Sequence, residues 1–107
     1  MKSAYFSHPY IGGRKQRVGE IMISRLFGCE VKNSIQHINK TKQEIFDIAY
    51  ECEVLVLLPP TEKVSLDEEQ AFVLDMFGKL NRAIYLMSQD LSILRAVEIK
   101  GVKNENR

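Results

Sequence analysis

Val54-Leu55-Val56-Leu57-Leu58 is an unbroken apolar run, closed by Pro59-Pro60. A strand with one wet face alternates apolar and polar side chains. A run without alternation needs cover on both faces, which is the habit of a central strand in a parallel sheet. The two prolines end it, because neither offers a backbone N–H to a neighbouring strand.

Reading outward, Ala83-Ile84-Tyr85-Leu86-Met87 and Ala4-Tyr5-Phe6-Ser7 are further strands, and Glu30-Val31-Lys32 is a short one. Helices are expected between them. From Arg14 the pattern places Val18, Ile21, Met22, Arg25 and Leu26 on one face, with Gly28 as the stop. Thr41-x-x-Glu44 has capping-box spacing and opens a helix that turns Ile45, Ile48 and Ala49 inward. A third helix is expected from Leu66 to Phe77, and a fourth from the cap Ser88 to Val97. Strands alternating with amphipathic helices predict an α/β domain over residues 1–107. Its core is a small doubly wound parallel sheet of roughly four or five strands flanked by helices, in the manner of flavodoxin and Rossmann domains.

The 107 residues are 45% hydrophobic and 27% charged, values of an ordinary folded domain with a core of its own. A formal charge of +1 argues against a nucleic-acid polymer as partner. Cys29 and Cys52 lack metal-type spacing, and Cys52 reads as a small core hydrophobe. The opening residues carry no signal-peptide pattern, and no stretch approaches the roughly 18 apolar residues of a membrane span. A cytoplasmic protein without membrane attachment is the expectation.

In doubly wound sheets ligands settle beyond the carboxyl ends of the strands. Two loops meet there. Ser7-His8-Pro9-Tyr10-Ile11-Gly12-Gly13-Arg14 leads into a helix start, where glycines allow close backbone approach and free N–H groups favour an anion. Arg14, Lys15 and Arg17 oppose the helix dipole by a few tenths of a kcal/mol, a cost that a bound phosphate or carboxylate would offset. Read blandly, this is a Gly-Gly turn beside a solvated basic face, and His8 is a loop histidine; His37 has no partner legible in the sequence. The second loop holds Ser65-Leu66-Asp67-Glu68-Glu69-Gln70. Ser65 with Glu68 makes a capping box and acids suit a first turn, but three carboxylates exceed what capping requires. Glu69, one turn past Ser65, could act as nucleophile or base.

Together the two loops resemble the nucleoside 2-deoxyribosyltransferase superfamily, nearest its 2'-deoxynucleoside 5'-phosphate N-hydrolases. Phe6 to Arg14 falls on the family's Gly-Ser-Ile-Arg-Gly-Gly-Arg type loop, and Arg17 on a following basic position. Ser24-Arg25-Leu26-Phe27-Gly28 looks similar as well. Cys52-Glu53-Val54-Leu55-Val56, Ser65, Glu69 and Ala71 occupy the places of its Ala-Asp-Val type strand, serine, glutamate and alanine-rich helix. In this chain the step from serine to glutamate is shortened, so Asp67, Glu68 and Glu69 compete for the nucleophile position; Ile11 stands where members often carry arginine.

The resemblance implies cleavage of an N-glycosidic bond in a (deoxy)nucleoside or nucleoside 5'-monophosphate, by hydrolysis or by transfer to another base. Glu69, or Glu68 in the alternative register, would be the catalytic carboxylate. Ser7, His8, Tyr10, Gly12, Gly13, Arg14 and Ser65 would bind substrate. No metal or organic cofactor is required. The alternative is a module on the same fold that binds a nucleotide or nucleotide-derived ligand without cleaving it. A homodimer or higher homo-oligomer is expected from the apolar surplus of the third helix (Ala71, Phe72, Val73, Leu74, Met76 and Phe77) and from the resemblance.

Overall fold

The computed structural model describes residues 3–9, 13–33, 41–60, 67–92 and 94–97. The elements are β1 (Ser3–Ser7), α1 (Gly13–Phe27), β2 (Glu30–Asn33), α2 (Lys42–Tyr50), β3 (Val54–Leu57), α3 (Glu68–Lys79), β4 (Ala83–Met87) and β5 (Leu94–Val97). They build a five-stranded sheet in the order β2-β1-β3-β4-β5. Every pairing is parallel except that of β4 with β5. The order reverses at β1, so the switch point lies between β1 and β3, where Ser7 pairs with Leu57 in register.

Helices cover both faces. On one side Tyr5, Leu55 and Leu57 pack with Ile45 and Ala49 of α2 and with Val73, Met76 and Phe77 of α3. On the other side Ala4, Phe6, Val54, Val56 and Leu58 pack with Ile23 of α1 and with Leu91. All four residues of β3 are buried, as its unbroken apolar run demands. Thr41 caps α2 through the full capping box with Glu44. Gly28 ends α1 in the left-handed region, at φ 61°.

The chain departs from expectation in three places. First, α1 seats Gly19 and Ile23 on the sheet, while Val18, Ile21 and Leu26 are 49, 46 and 59% exposed. Gly19 decides the rotation: a Cβ there would stand 2.7 Å from the ring of Phe6, so the helix lies closer to the sheet than any side chain would allow. Second, the N-cap of α3 is Asp67 and the helix opens at Glu68, while the expected cap Ser65 and start Leu66 lie outside the described residues. Asp67 makes its capping box with Gln70, and the helix runs through Gly78 to Lys79.

Third, the expected fourth helix is a strand. The Asp90 carboxylate accepts from the hydroxyls of Ser88 and Ser92 and from the Ser92 N–H. With Leu91 at φ 66°, this closes a tight turn that sends β5 back along β4. Leu94 and Val97 then reach the two opposite faces of the sheet, as residues three apart must do in a strand. Among the described residues no helix is long and apolar enough to cross a membrane.

Candidate functional site

The site is built on the carboxyl end of β1. Tyr5 and Ser7 are two residues apart, so both side chains leave the same face of the sheet, the one covered by α3. Both are fully buried. Glu69 occupies the first turn of α3, two residues past the cap, where the positive end of the helix dipole favours a carboxylate. The Tyr5 hydroxyl donates to Oε2 of Glu69 at 2.7 Å, and the Ser7 hydroxyl donates to Oε1 at 2.8 Å. Each carboxylate oxygen therefore has its own buried donor.

Electrostatics at Glu69 pull in two directions. Burial pushes its pKa above the ordinary value of 4.5, and the Asp67 charge adds to that. The hydrogen bonds from Tyr5 and Ser7 pull it down, with a smaller contribution from His8. Burial wins, so the carboxyl is harder to ionise than one in water. Tyr5 is pushed far up, first by burial and then by the neighbouring Glu69 charge, and stays a donor at any physiological pH.

Of the three consecutive carboxylates, only Glu69 reaches the hydroxyls of Tyr5 and Ser7. Asp67 is taken up by the cap, and Glu68 points outward to Lys42 at 3.8 Å with its side chain 86% exposed. His8 lies on the other face of the sheet. Its Nδ1 is 2.6 Å from the Pro9 carbonyl oxygen, and its Nε2 is 2.6 Å from Oδ1 of Asn33. The Asn33 amide in turn donates to Glu20, which also accepts from Gln16 at 3.0 Å. Gly13 and Arg14 open α1 and are exposed, and nothing lies within 4 Å of where a Gly13 Cβ would be. Tyr10, Gly12, Ser65 and His37 lie outside the described residues.

The fold thus joins Ser7 and Glu69 and leaves Glu68 out. It also recruits residues that sequence reasoning missed. The sequence assigns Tyr5 only to the first strand; its spacing of two from Ser7 is the available signal. Gln70, fully buried beside Glu69, carries no role in the sequence reading. Glu20 and Asn33 gave no sign of their link to His8. Among the described residues no group of His, Cys, Asp and Glu could hold a metal ion. A cleft of about 720 Å³ lies at the opposite, amino edge of the sheet, lined by Glu30, Lys32, Tyr50, Glu53 and Arg82 among others. It lies away from Glu69, because Ser3 and Glu30 open β1 and β2 and Glu53 precedes β3, whereas the site stands at the carboxyl end of β1.

Comparison with family models, with curated proteins and with solved structures finds no match for this chain.

Proposed function

We propose that the protein cleaves the N-glycosidic bond of a (deoxy)nucleoside or nucleoside 5'-monophosphate, with Glu69 as nucleophile. The observation that carries the reading is a half-buried carboxylate at the switch point of a doubly wound sheet, held by two buried hydroxyls. Carboxylates serve as nucleophiles toward anomeric carbons in retaining glycosidases, and Glu69 is the carboxylate that the two hydroxyls hold. The resemblance to nucleoside 2-deoxyribosyltransferases, which rests on Ser7 to Arg14 and on Glu69, supports the same reading.

In the proposed first step an oxygen of Glu69 bonds to the anomeric carbon. The carbon–nitrogen bond breaks, and its electron pair leaves with the base, which takes a proton from water. In the second step water, or the nitrogen of another base, attacks the anomeric carbon, gives up its proton to solvent, and the ester bond returns its electrons to Glu69. Tyr5 and Ser7 steady the carboxylate while its charge is spent and restored. Gly13 and Arg14, at the amino end of α1, would hold a 5'-phosphate in this reading. The homodimer belongs to the same proposal, with its contact on α1 rather than α3. Phe72 and Leu74 of α3 pack onto the core of their own chain, whereas Val18, Ile21 and Leu26 stand exposed.

A second reading, a binding module that does not cleave, draws on one observation: the polar atoms of Ser7 and His8 turn to protein partners rather than outward. Incubation with a panel of nucleosides and 5'-monophosphates, followed by chromatography for free base, separates the two. Released base supports the enzyme. A thermal shift without release supports the binder, since a ligand at 100 times its Kd adds about 2.7 kcal/mol.

A further inference from the structure

Gln70 is fully buried, and its side chain is spent on backbone. Its Nε2 donates to the carbonyl of Leu58 at 2.7 Å and to that of Ser7 at 3.2 Å. Its Oε1 accepts from the Asp67 N–H at 3.4 Å, and its own N–H donates to Asp67 Oδ1 at 2.8 Å. The last two bonds are the capping box, for which a glutamate would serve as well. The first two are not. They lie where the ladder between β1 and β3 runs out, one rung being the Leu58 N–H to the Ser7 carbonyl at 2.9 Å. A carboxamide can donate to two carbonyls and still accept a third bond, which neither a carboxylate nor a hydroxyl can do.

The consequence falls on the residue before it. Ser7 is tied to α3 twice, by its carbonyl to Gln70 and by its hydroxyl to Glu69. We propose that Gln70 is a positioning residue for Glu69: its amide, wedged across the ends of β1 and β3, fixes the first turn of α3 so that the carboxylate stays on the hydroxyls of Tyr5 and Ser7. The catalytic consequence rests on the glycosidic reading above; the structural consequence does not.

The test follows the carboxyl ¹³C titration of Glu69 in the parent, Gln70→Leu and Gln70→Glu chains, together with kcat and KM on any substrate the parent cleaves. Leucine keeps the bulk and removes the amide; glutamate keeps Oε1 and sets a second oxygen against two carbonyls. In Gln70→Leu the titration of Glu69 moves toward the ordinary carboxylate range as the carboxylate leaves its buried seat; in Gln70→Glu it departs from the parent's, with the added carboxyl opposing ionisation. kcat falls on the order of 10²-fold while KM holds, as a misplaced reacting group requires. Thr41→Ala, which removes the cap of α2, lowers the melting temperature and leaves both readouts in place.

A Glu69 titration that overlays the parent's in a folded Gln70 variant overturns the assignment, as does an equal movement in Thr41→Ala. Should neither Gln70 variant fold, the parent decides: slowly exchanging side-chain amide protons on Gln70 are expected, and rapid exchange overturns the proposal. A parent chain that releases no base from any substrate overturns the glycosidic reading and leaves the titration to judge Gln70.

Discussion

The Tyr5 hydroxyl lies 2.7 Å from Oε2 of Glu69, a residue 64 positions further along the chain. Both groups are short of water, so the bond joins a donor that does not ionise to an acceptor with few alternatives. Tyr5→Phe removes the donor and leaves the ring. The loss expected is about 1–3 kcal/mol of stability from an under-satisfied buried acceptor. A further rise in the Glu69 pKa should accompany it. Denaturant melts and a carboxyl titration check the pair of effects together.

Glu69→Gln should abolish base release by several powers of ten with the fold intact, since no covalent intermediate can form. Glu68→Gln should leave turnover near the parent's, because Glu68 faces Lys42 and solvent. The reverse result assigns the nucleophile to Glu68.

The raised Glu69 pKa also predicts a pH dependence of stability. As pH rises past the ordinary value of 4.5, the unfolded chain gives up this proton before the folded one does. The folded state then binds more protons, so stability falls with pH until the raised folded value is passed. Glu69→Gln lacks the effect. The stability of the parent relative to Glu69→Gln should therefore be greatest below 4.5 and should decline through that window. Urea melts of both proteins across the acid range measure it.

Arg14→Ala should weaken a 5'-monophosphate far more than the matching nucleoside. A charge-assisted contact to phosphate is worth roughly 1.5–3 kcal/mol, or about 10- to 150-fold in Kd. Calorimetric titration with both ligands decides it, and equal weakening removes Arg14 from the phosphate site.

Gly19→Ala sets two effects against each other. Alanine gains up to about 1 kcal/mol in helix propensity. Its Cβ, however, meets the rigid ring of Phe6 at 2.7 Å, and overpacking of this kind costs about 1–3 kcal/mol. The ring is buried and has nowhere to turn, so net destabilisation is expected, read as a lower melting temperature with base release unaffected per folded molecule.

Light scattering at micromolar concentration should give a mass near twice 12.3 kDa. Ile21→Lys, on the exposed side of α1, should halve it without lowering the melting temperature. A parent mass of 12.3 kDa rejects the dimer.

Much of the architecture was legible because the deciding signals are local. Val54 to Leu58 could only be a covered strand, Gly28 a helix stop and Thr41 a cap. Where a neighbour far along the chain decides, the pattern misled. The face that α1 buries depends on the Phe6 ring beneath Gly19, which no helical periodicity records. Residues 88–97 carry leucines three apart, which fit a helix or the two faces of a strand equally well. Asp90 resolved it by gathering Ser88 and Ser92 into a turn. At the site, spacing brought Asp67, Glu68 and Glu69 forward together. The different directions they take follow from where α3 starts, and that is set by the bond from the Gln70 N–H to the Asp67 carboxylate.

β1 is flanked on both sides by strands synthesised after it: β2 first, then β3. Of these three strands β1 is made first and waits for both neighbours, and Glu69 follows Ser7 by 62 residues. At 5–20 residues per second of translation, that interval is about 3–12 s. Throughout it the glutamate is either unmade or an ordinary acid in water, with no hydroxyls to hold it. The doubly held carboxylate arrives only when α3 has packed onto β1, so a chain cut short before residue 69 keeps the two hydroxyls and lacks what they hold.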